Sequence, residues 1–297
     1  MQEIWESAGK LINKQEWGQK ITSLHSETQF SNKEEAKREL REKLLSAVRR
    51  RIQPKKVGIF FSGGVDSTFI ASACKILKAD FTCFTVGFQD QETKEPEDIT
   101  EAKKAAKALG FELKYKIFNL AEAQEIIKKT VSILKKEEKV DVVNVGVGAV
   151  VVAAAEVGKK NNITYFLGGL GSEEIFAGYE RHSQADDINE ECWRGLKYMW
   201  ERDLVRDTII AQELGITLGT PFLDAELIKL AMTFPGEWKI KGDVKKLILR
   251  EATEEFLGEF AWRKKRAAQY GSCFDKAIDK LARKNGFKMK KEWLESL

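Results

Sequence analysis

The sequence predicts an α/β fold, a doubly wound parallel sheet flanked by helices, with a mostly helical C-terminal part. Apolar runs typical of buried strands occupy residues 57–61, 81–88 and 163–167, and residues 111–117 alternate between apolar and charged side chains, as a half-exposed strand does. Helical patterns separate these strands, and such alternation favours a parallel sheet. Two glycine-rich loops each follow a strand, so we expect both at the carboxyl edge of the sheet, where such folds bind ligands.

Helices are predicted before the first strand and between the later ones. Ser31 and Glu34 match a capping box, and an apolar stripe keeps helical spacing from there until Pro54 ends the helix. Residues 67–77 and 99–109 have helical patterns between strands. These helices are expected to cover the sheet.

The composition argues against several classes of protein. The chain of 297 residues has 50 Lys and Arg against 46 Asp and Glu, and a net charge of +4 is too small to indicate a nucleic-acid-binding domain. Basic clusters at residues 49–51 and 264–266 are expected to be solvated helix ends or phosphate-neutralising edges, with an RNA-binding patch as the alternative. The four cysteines form no C-x-x-C motif, so neither a zinc site nor a disulfide framework is expected.

The sequence also bears on location. No apolar stretch is expected to reach transmembrane length, and the N-terminus lacks the apolar region of a signal peptide. We therefore expect no membrane association and a cytoplasmic protein.

The first glycine-rich loop, Ser62-Gly63-Gly64-Val65-Asp66-Ser67, joins the first strand directly to a helix. Backbone N–H groups and a helix N-terminus at one point suit a phosphate group. The loop matches neither the G-x-x-x-x-G-K-[ST] nor the G-x-G-x-x-G motif. It resembles the SGG-x-DS loop of the PP-loop ATP pyrophosphatases, which cleave ATP between its α and β phosphates; the alternative is an ordinary strand–turn–helix.

The second loop, residues 168–171, follows the strand at 163–167 and leads into a helix that begins with Glu173 and Glu174. Acids in this position also serve as simple partners of the helix dipole. A nucleotide with its phosphates needs Mg²⁺, however, and Mg²⁺ prefers one or two carboxylates together with substrate oxygens. Asp66 and Glu173 are therefore the predicted metal ligands.

Four ordered motifs resemble the synthetase domain of the glutamine-hydrolysing asparagine synthetases and their relative, β-lactam synthetase. Beside the first loop, the family motif S-G-E-G-[SA]-D-E-[LIV]-F-G-G-Y is matched by residues 168–179, R-V-P-F-L-D by 219–224, and K-x-x-L-R-E by 246–251. The resemblance covers about residues 31–275 and implies an adenine nucleotide alpha hydrolase-like fold.

The resemblance also implies a reaction and roles. In the family, ATP adenylates the β-carboxylate of aspartate, pyrophosphate leaves, and ammonia attacks the acyl-adenylate. Asp66 and Lys246 are implied to be catalytic, Lys246 by stabilising the charge that develops on the phosphates. Arg250 is either an ion-pair anchor for its helix or another phosphate partner. The implied ATP-binding residues are Ser62, Gly63, Gly64, Asp66, Ser67, Val86, Gly168 and Gly169.

Three departures from the family pattern concern the nitrogen and the acceptor. Residue 2 is Gln where the family glutaminase has its nucleophilic Cys, and 61 residues before Ser62 are too few for that domain. The nitrogen source is then free ammonia, a separate glutaminase subunit or a different nucleophile. Leu170 and Gly219 replace a Glu and an Arg of the family, and Glu173 replaces an Asp that it can mimic as a metal ligand. The ATP half of the site therefore looks intact, whereas the acceptor half differs.

The leading hypothesis is an AMP- and pyrophosphate-forming ligase of the asparagine synthetase type that uses ATP and Mg²⁺. It would adenylate a small carboxylate, with aspartate as the first candidate, and transfer it to ammonia supplied externally. The alternatives are a diverged, non-catalytic ATP-binding protein and a PP-loop RNA-modifying enzyme. A homodimer is the candidate assembly.

The sequence also predicts a division of the chain. The first thirty residues are polar with two tryptophans and are predicted to be a docking segment. Residues 31–297 are predicted to form the synthetase-like domain, which is helical from about residue 186.

Overall fold

The computed structural model of the chain describes residues 3–26, 30–91, 94–263 and 267–297. Its largest sheet has five parallel strands, and two short antiparallel hairpins lie outside it. The strands are β1 (Glu6–Ser7), β2 (Lys10–Leu11), β3 (Val57–Phe60), β4 (Phe81–Phe88), β5 (Leu113–Phe118), β6 (Tyr165–Leu167), β7 (Thr217–Gly219), β8 (Ile240–Lys241) and β9 (Val244–Lys245).

Helices cover both faces of this sheet and make up most of the C-terminal part. In the described chain they are α1 (Lys14–Ser23), α2 (Lys33–Arg49), α3 (Val65–Ile76), α4 (Glu97–Leu109), α5 (Leu120–Leu134), α6 (Val142–Lys159), α7 (Ser172–Ile175), α8 (Glu180–Ser183), α9 (Ile188–Met199), α10 (Val205–Leu214), α11 (Ala225–Ala231), α12 (Gly236–Lys239), α13 (Leu247–Leu257), α14 (Ala268–Gly271), α15 (Phe274–Lys284) and α16 (Lys290–Ser296). A π-helical turn, Trp200–Leu204, joins α9 to α10.

The strand order of the main sheet is β5-β4-β3-β6-β7, with every pair parallel. The chain runs outward from β3 through β4 to β5 and then returns to β6 on the other side of β3. The switch point therefore lies between β3 and β6, which is where such sheets bind ligands. The predicted fold class is confirmed, and both glycine-rich loops leave the sheet at this point.

Some local predictions are wrong in detail. The side chain that caps α2 is Asn32, whose Oδ1 accepts hydrogen bonds from the backbone N–H groups of Glu34 and Glu35, and not Ser31. Asn is as good an N-cap as Ser, and here it stands at the residue before the first helical turn. The edge strand β7 has no counterpart in the prediction, because three residues are too few for a pattern.

The basic cluster at residues 49–51 was expected to be a solvated helix end, and Arg51 differs from this expectation. The second cluster, residues 264–266, lies outside the described residues. Arg51, at the end of α2, is only 2% exposed and is not a solvated helix end. Its guanidinium donates to both carboxylate oxygens of Glu3, at 2.7 and 2.8 Å, and to Asp224 Oδ2 at 3.0 Å. Burial lowers its pKa, but the two carboxylates outweigh that effect and hold the pKa above the ordinary value.

Helix α6 corrects the expectation that no apolar stretch reaches transmembrane length. By length and composition its 18 residues could cross a membrane, and 56% of them are buried inside the fold. The helix packs against α5, α10 and strand β4. Core helices have the same composition, so the packing of α6 accounts for its apolar character.

Residues 3–26 pack on the same core as the main sheet. Trp5 and Trp17 are buried, and Trp17 Nε1 donates to the carbonyl of Leu196 at 2.9 Å. The division of the chain near residue 30 stays a prediction.

Aromatic packing beneath the switch point requires two glycines. Phe166, on β6, is fully buried and stacks on Phe60 of β3 with ring centroids 4.7 Å apart. A Cβ added at Gly58 or Gly158 would lie 2.5 or 2.3 Å from this ring. Strand β3 and helix α6 can therefore approach Phe166 this closely only because residues 58 and 158 have no side chain.

We predict that Gly158→Ala destabilises the fold by about 1–3 kcal/mol, because a methyl group overpacks the buried ring. Gly18→Ala in α1, where an added Cβ meets nothing within 4 Å, should instead stabilise by about 0.5–1 kcal/mol. Urea unfolding of the two variants measures both effects. Equal changes in the free energy of unfolding would contradict the packing argument.

Candidate functional site

The first glycine-rich loop turns sharply from β3 into α3. Gly63 has φ +69°, and a Cβ there would lie 3.0 Å from the backbone of Glu101 and Ala102. Gly64 then precedes the first turn of α3 in an extended conformation. Both the left-handed backbone and the close approach to α4 require glycine at residue 63.

Hydrogen bonds within this loop fix its shape. Ser67 Oγ accepts from the backbone N–H of Ser62 at 3.2 Å and donates to the carbonyl of Gly64 at 3.3 Å. The hydroxyls of Ser62 and Ser67 lie 3.3 Å apart. The turn therefore presents two hydroxyls beside the N-terminus of a twelve-residue helix, an arrangement suited to binding phosphate oxygens.

The second glycine-rich loop, after β6, packs directly on the first. A Cβ added at Gly169 would lie 3.1 Å from Asp66 Cβ, and Ser172 Oγ donates to Asp66 Oδ1 at 2.6 Å. Gly171 has φ +96°, with Leu223 close to the position a Cβ would take. The two loops, separated by about a hundred residues in the chain, therefore form one surface.

Lys246 joins both loops to the C-terminal helices. Its Nζ donates to Asp66 Oδ2 at 2.7 Å and lies 2.8 Å from Glu173 Oε1, and the residue is only 5% exposed. Burial lowers its pKa, but the two carboxylates outweigh burial and raise the pKa above the ordinary value. A Cβ added at Gly178 would collide with Glu173 and with Lys246 Cε, so the cluster also needs a glycine beside it.

The carboxylates of Asp66 and Glu173 fit a magnesium ion that is shared with a nucleotide. One oxygen of each lies within 2.8 Å of the Lys246 ammonium, so the two carboxylates lie side by side. Among the described residues, no group of three or more His, Cys, Asp or Glu side chains could hold a metal by itself. Two carboxylates with phosphate oxygens and water are what Mg²⁺ prefers.

A cleft of about 260 Å³ runs along the carboxyl edge of the sheet. Phe84 and Val86 line it on the β4 side, and Leu170, Gly219 and Thr220 on the side of β6 and β7. Of the predicted site residues, its lining includes Ser62, Asp66, Ser67, Val86, Gly168, Gly169 and Glu173. Gly63 and Gly64 form the turn of the first loop, and Lys246 approaches Asp66 from outside this cleft. The structure thus brings the predicted set together, while the individual roles stay predictions.

A second cleft, of about 280 Å³, shares Asp66 and Glu173 with the first. Lys246 and Arg250 line it. The Arg250 guanidinium donates to the backbone carbonyls of Lys245, Ala261 and Arg263, at 2.8, 2.5 and 3.1 Å. These bonds anchor α13 through backbone carbonyls and not through the predicted ion pair, and the role of Arg250 as a phosphate partner stays a prediction.

Sequence reasoning missed Arg263. Its Nη1 donates to the carbonyl of Ser62 at 2.5 Å, and its guanidinium lies 3.5 Å from Asp98 and 3.7 Å from Glu101. The residue therefore ties the first loop to α4 and lines the second cleft. Its place directly before the basic cluster at 264–266 is the only sequence signal, and nothing local distinguishes it from those neighbours.

A buried ionic network lies behind the second loop. Glu174 accepts from Arg202, which also donates to Asp203. Burial, reinforced by Asp203 and opposed by Arg202, raises the pKa of Glu174 to about 7. The π-helical turn presents Arg202 and Asp203 to this carboxylate.

A second ion pair lies at the first cleft. Arg206 Nε donates to Asp207 Oδ1 at 2.7 Å, and both residues line that cleft.

The two histidines have separate surroundings. His25 is exposed and stacks on Trp193, with ring centroids 5.1 Å apart. His182 is fully buried; its Nδ1 accepts from the backbone N–H of Tyr179 at 3.1 Å, and its Nε2 has no hydrogen-bond partner among the described residues. Both are packing residues.

Comparison with known proteins gives a consistent set of similarities. The family model described as asparagine synthase matches residues 39–187 and 181–292. "Putative asparagine synthetase 1", of the glutamine-hydrolyzing type, from Methanocaldococcus jannaschii is 31% identical over 306 residues, which cover 89% of this chain and 55% of that protein. The glutamine-hydrolyzing asparagine synthetase of Gallus gallus is 27% identical, over 76% of this chain and 42% of that protein.

The chain spans about half the length of the curated relatives it matches. Among solved structures, the NMN synthetase of Francisella tularensis aligns with 90% of this chain and 94% of its own, at 12% identity and a TM-score of 0.40. Structural similarity with this TM-score does not indicate a shared function.

We predict that His182 weakens the fold in acid. Burial, with the positive charges of Arg181 and Lys239 nearby, lowers its pKa to about 3, against about 6.5 in an unfolded chain. Below pH 6.5 the unfolded chain takes up a proton that the folded chain does not, so the free energy of unfolding falls by up to about 1.4 kcal/mol per pH unit. His182→Asn keeps an acceptor for the Tyr179 N–H and should give a shallower fall between pH 6.5 and 4.5 in urea unfolding. Parallel slopes for the two proteins would contradict the prediction.

Proposed function

This chain belongs to the asparagine synthase family, and from that premise we propose that it is an ATP-dependent carbon–nitrogen ligase that forms AMP and pyrophosphate. It adenylates a small carboxylate, with aspartate as the first candidate, and transfers the acyl group to ammonia supplied from outside the chain. The observation that carries the proposal is the convergence of Asp66, Glu173 and Lys246 on the phosphate-type loop at the switch point of the sheet.

The first loop would hold the phosphates of ATP. Its hydroxyls, Ser62 and Ser67, and the N-terminus of α3 supply hydrogen-bond donors and a partial positive charge. Magnesium held by Asp66 and Glu173 would supply further positive charge at the departing pyrophosphate. The orientation of the triphosphate therefore depends on a loop that internal hydrogen bonds already hold in shape.

Lys246 would stabilise the negative charge that develops as the α–β phosphate bond breaks. Its raised pKa keeps the ammonium protonated at neutral pH, and Asp66 and Glu173 hold it at a defined position. A cation placed in advance loses little free energy to reorganisation during the reaction.

The acceptor end of the cleft supports the proposal less directly. Leu170 lines it where the family has a glutamate, and a leucine neither accepts a proton nor pairs with an ammonium. Arg206 and Asp207 are charged residues of this wall. Aspartate as the acceptor therefore rests on family membership alone.

Further parts of the proposal concern partners and location. We propose a cytoplasmic protein that takes ammonia directly or from a separate glutaminase subunit and that forms a homodimer. Residues 1–30 are proposed to be a docking segment on a synthetase-like domain of residues 31–297, helical from about residue 186.

A diverged ATP-binding protein without transfer activity is the second candidate. The observation that favours it is Leu170 in the cleft lining, because the family motif has at this position a glutamate that can act as a base or bind an ammonium group, and a leucine does neither. An RNA-modifying enzyme has less support, because Arg51 of the first basic cluster is buried in ion pairs.

The first test of the proposal is product formation. We predict that the protein, incubated with ATP, Mg²⁺, ammonia and a panel of amino acids, releases pyrophosphate and AMP in equal amounts with one acceptor. Asp66→Asn should lower the rate by about 100-fold or more, because a carboxylate that holds the metal and Lys246 is lost. Asp80→Asn, which changes an exposed acid paired with Lys56 at 3.7 Å, is the control. ATP binding without pyrophosphate for every acceptor would overturn the ligase and favour the second candidate.

The second test concerns the choice between adjacent lysines. We predict that Lys246→Met lowers kcat by about 100-fold, whereas Lys245→Met, which removes an ion pair with exposed Glu180, has a much smaller effect. Melting temperatures and ATP affinities of both variants separate catalysis from folding, since Lys246→Met removes the ammonium partner that Asp66 and Glu173 share. A larger loss for Lys245→Met would transfer the proposed role to that residue.

A further inference from the structure

The N-terminal segment places a buried carboxylate against the main domain. Glu3 is 7% exposed and accepts four hydrogen bonds. Two come from the Arg51 guanidinium, at 2.7 and 2.8 Å, and two from Thr220, whose backbone N–H and Oγ1 lie 3.0 and 2.9 Å away. Trp5 Nε1 also donates to Thr220 Oγ1, at 2.8 Å. Glu3 and Trp5 thus form hydrogen bonds with both the backbone and the side chain of Thr220.

Thr220 follows β7 directly and lines the first cleft together with Gly219. The carbonyl of Gly219 accepts from the backbone N–H of Gly168 at 3.1 Å. Hydrogen bonds therefore connect Arg51 through Glu3 to the peptide group that joins Gly219 to Thr220, and that peptide group to Gly168 of the second glycine-rich loop.

The wall at Gly219 consists of backbone alone. A Cβ there would lie 2.5 Å from the hydroxyl of Tyr165 and 2.6 Å from Leu167 Cδ2. Burial, together with the charge of Glu3, raises the pKa of Tyr165 to about 12, so the phenol is neutral and fills this space. Residue 219 has no side chain that could pack and fix its backbone. The position of the wall therefore depends on the hydrogen bonds made by the next residue, Thr220.

Strand order assigns this wall to the acceptor side of the cleft. The phosphate-type loop follows β3, Val86 lies on β4 to one side of it, and Gly219 lies at the end of β7 on the other side. If the adenine binds next to Val86, the α-phosphate lies at the loop. The carboxylate that attacks this phosphate then comes from the side of β6 and β7.

We infer that Glu3 is a positioning residue for the acceptor end of the cleft, acting through Thr220, and that the N-terminal segment is part of the substrate site. The inference rests on the proposed ligase function for its kinetic consequence. Its structural consequence, the ordering of residues 219–220 and of the second glycine-rich loop, is independent of that function.

Glu3→Ala removes all four hydrogen bonds, and Glu3→Gln retains an oxygen that can accept from the Thr220 N–H. With L-aspartate as the probe, Glu3→Ala should raise the KM for the carboxylate about tenfold and change the KM for ATP less than twofold, with Glu3→Gln between Glu3→Ala and the unaltered protein. Hydrogen exchange without ligands should be about tenfold faster at the amides of Thr220 and Gly168 in Glu3→Ala.

Asp224→Asn is the matched control, because it removes the other carboxylate partner of Arg51, 3.0 Å away, without touching Thr220. It should lower the melting temperature but leave both KM values and the exchange at Thr220 and Gly168 as in the unaltered protein. Unchanged exchange in Glu3→Ala, or the same exchange and KM changes in Asp224→Asn, would overturn the inference. If the unaltered protein releases no pyrophosphate, the proposed function fails, and the exchange measurement still decides the role of Glu3.

Discussion

The contact on which the site depends is the ammonium of Lys246 between the carboxylates of Asp66 and Glu173. It connects the loop after β3, the loop after β6 and the start of α13, three segments that no local interaction would bring together. Burying the Lys246 ammonium and most of Asp66 is costly. The attraction between the ammonium and the two carboxylates repays this cost only with good geometry and further hydrogen bonds, such as the one from Ser172 Oγ to Asp66. One positive and two negative charges leave a net negative charge, which suits a divalent cation shared with phosphate.

Close approach of backbones makes this contact possible. Gly169 lies against Asp66, Gly178 against Glu173 and Lys246, and Gly63 against the start of α4. At each position a single methyl group would meet backbone or a charged side chain at or inside van der Waals distance. The glycines are therefore steric requirements of the charge cluster as well as of the turns.

The two ends of the cleft are built differently. The proposed nucleotide side consists of β4 side chains and the hydrogen-bonded first loop, whose residues match the family motif. The proposed acceptor side combines Leu170 with the backbone of Gly219 and Thr220, and the pair Arg206 and Asp207 lines the same cleft. Its support comes from Glu3 and Arg51, which are distant in the sequence from the motifs that define the family. The two ends of the cleft therefore depend on different parts of the chain, one on the family motifs and the other on residues outside them.

The sequence by itself determined the alternation of strands and helices and the two glycine-rich loops, because periodicity and turn chemistry are local properties. The predicted ATP-binding residues between Ser62 and Gly169 that line the cleft rest instead on resemblance to the family. The same resemblance predicted Lys246. Only the tertiary structure decided that Lys246 binds both predicted metal ligands, across 180 residues from Asp66. The same holds for Arg51, expected in solvent but buried, for Arg263 beneath the first loop, and for Glu3, which contacts Thr220 across 217 residues. Buried ion pairs of this kind are set by which surfaces pack together, and no spacing within a single element records that choice.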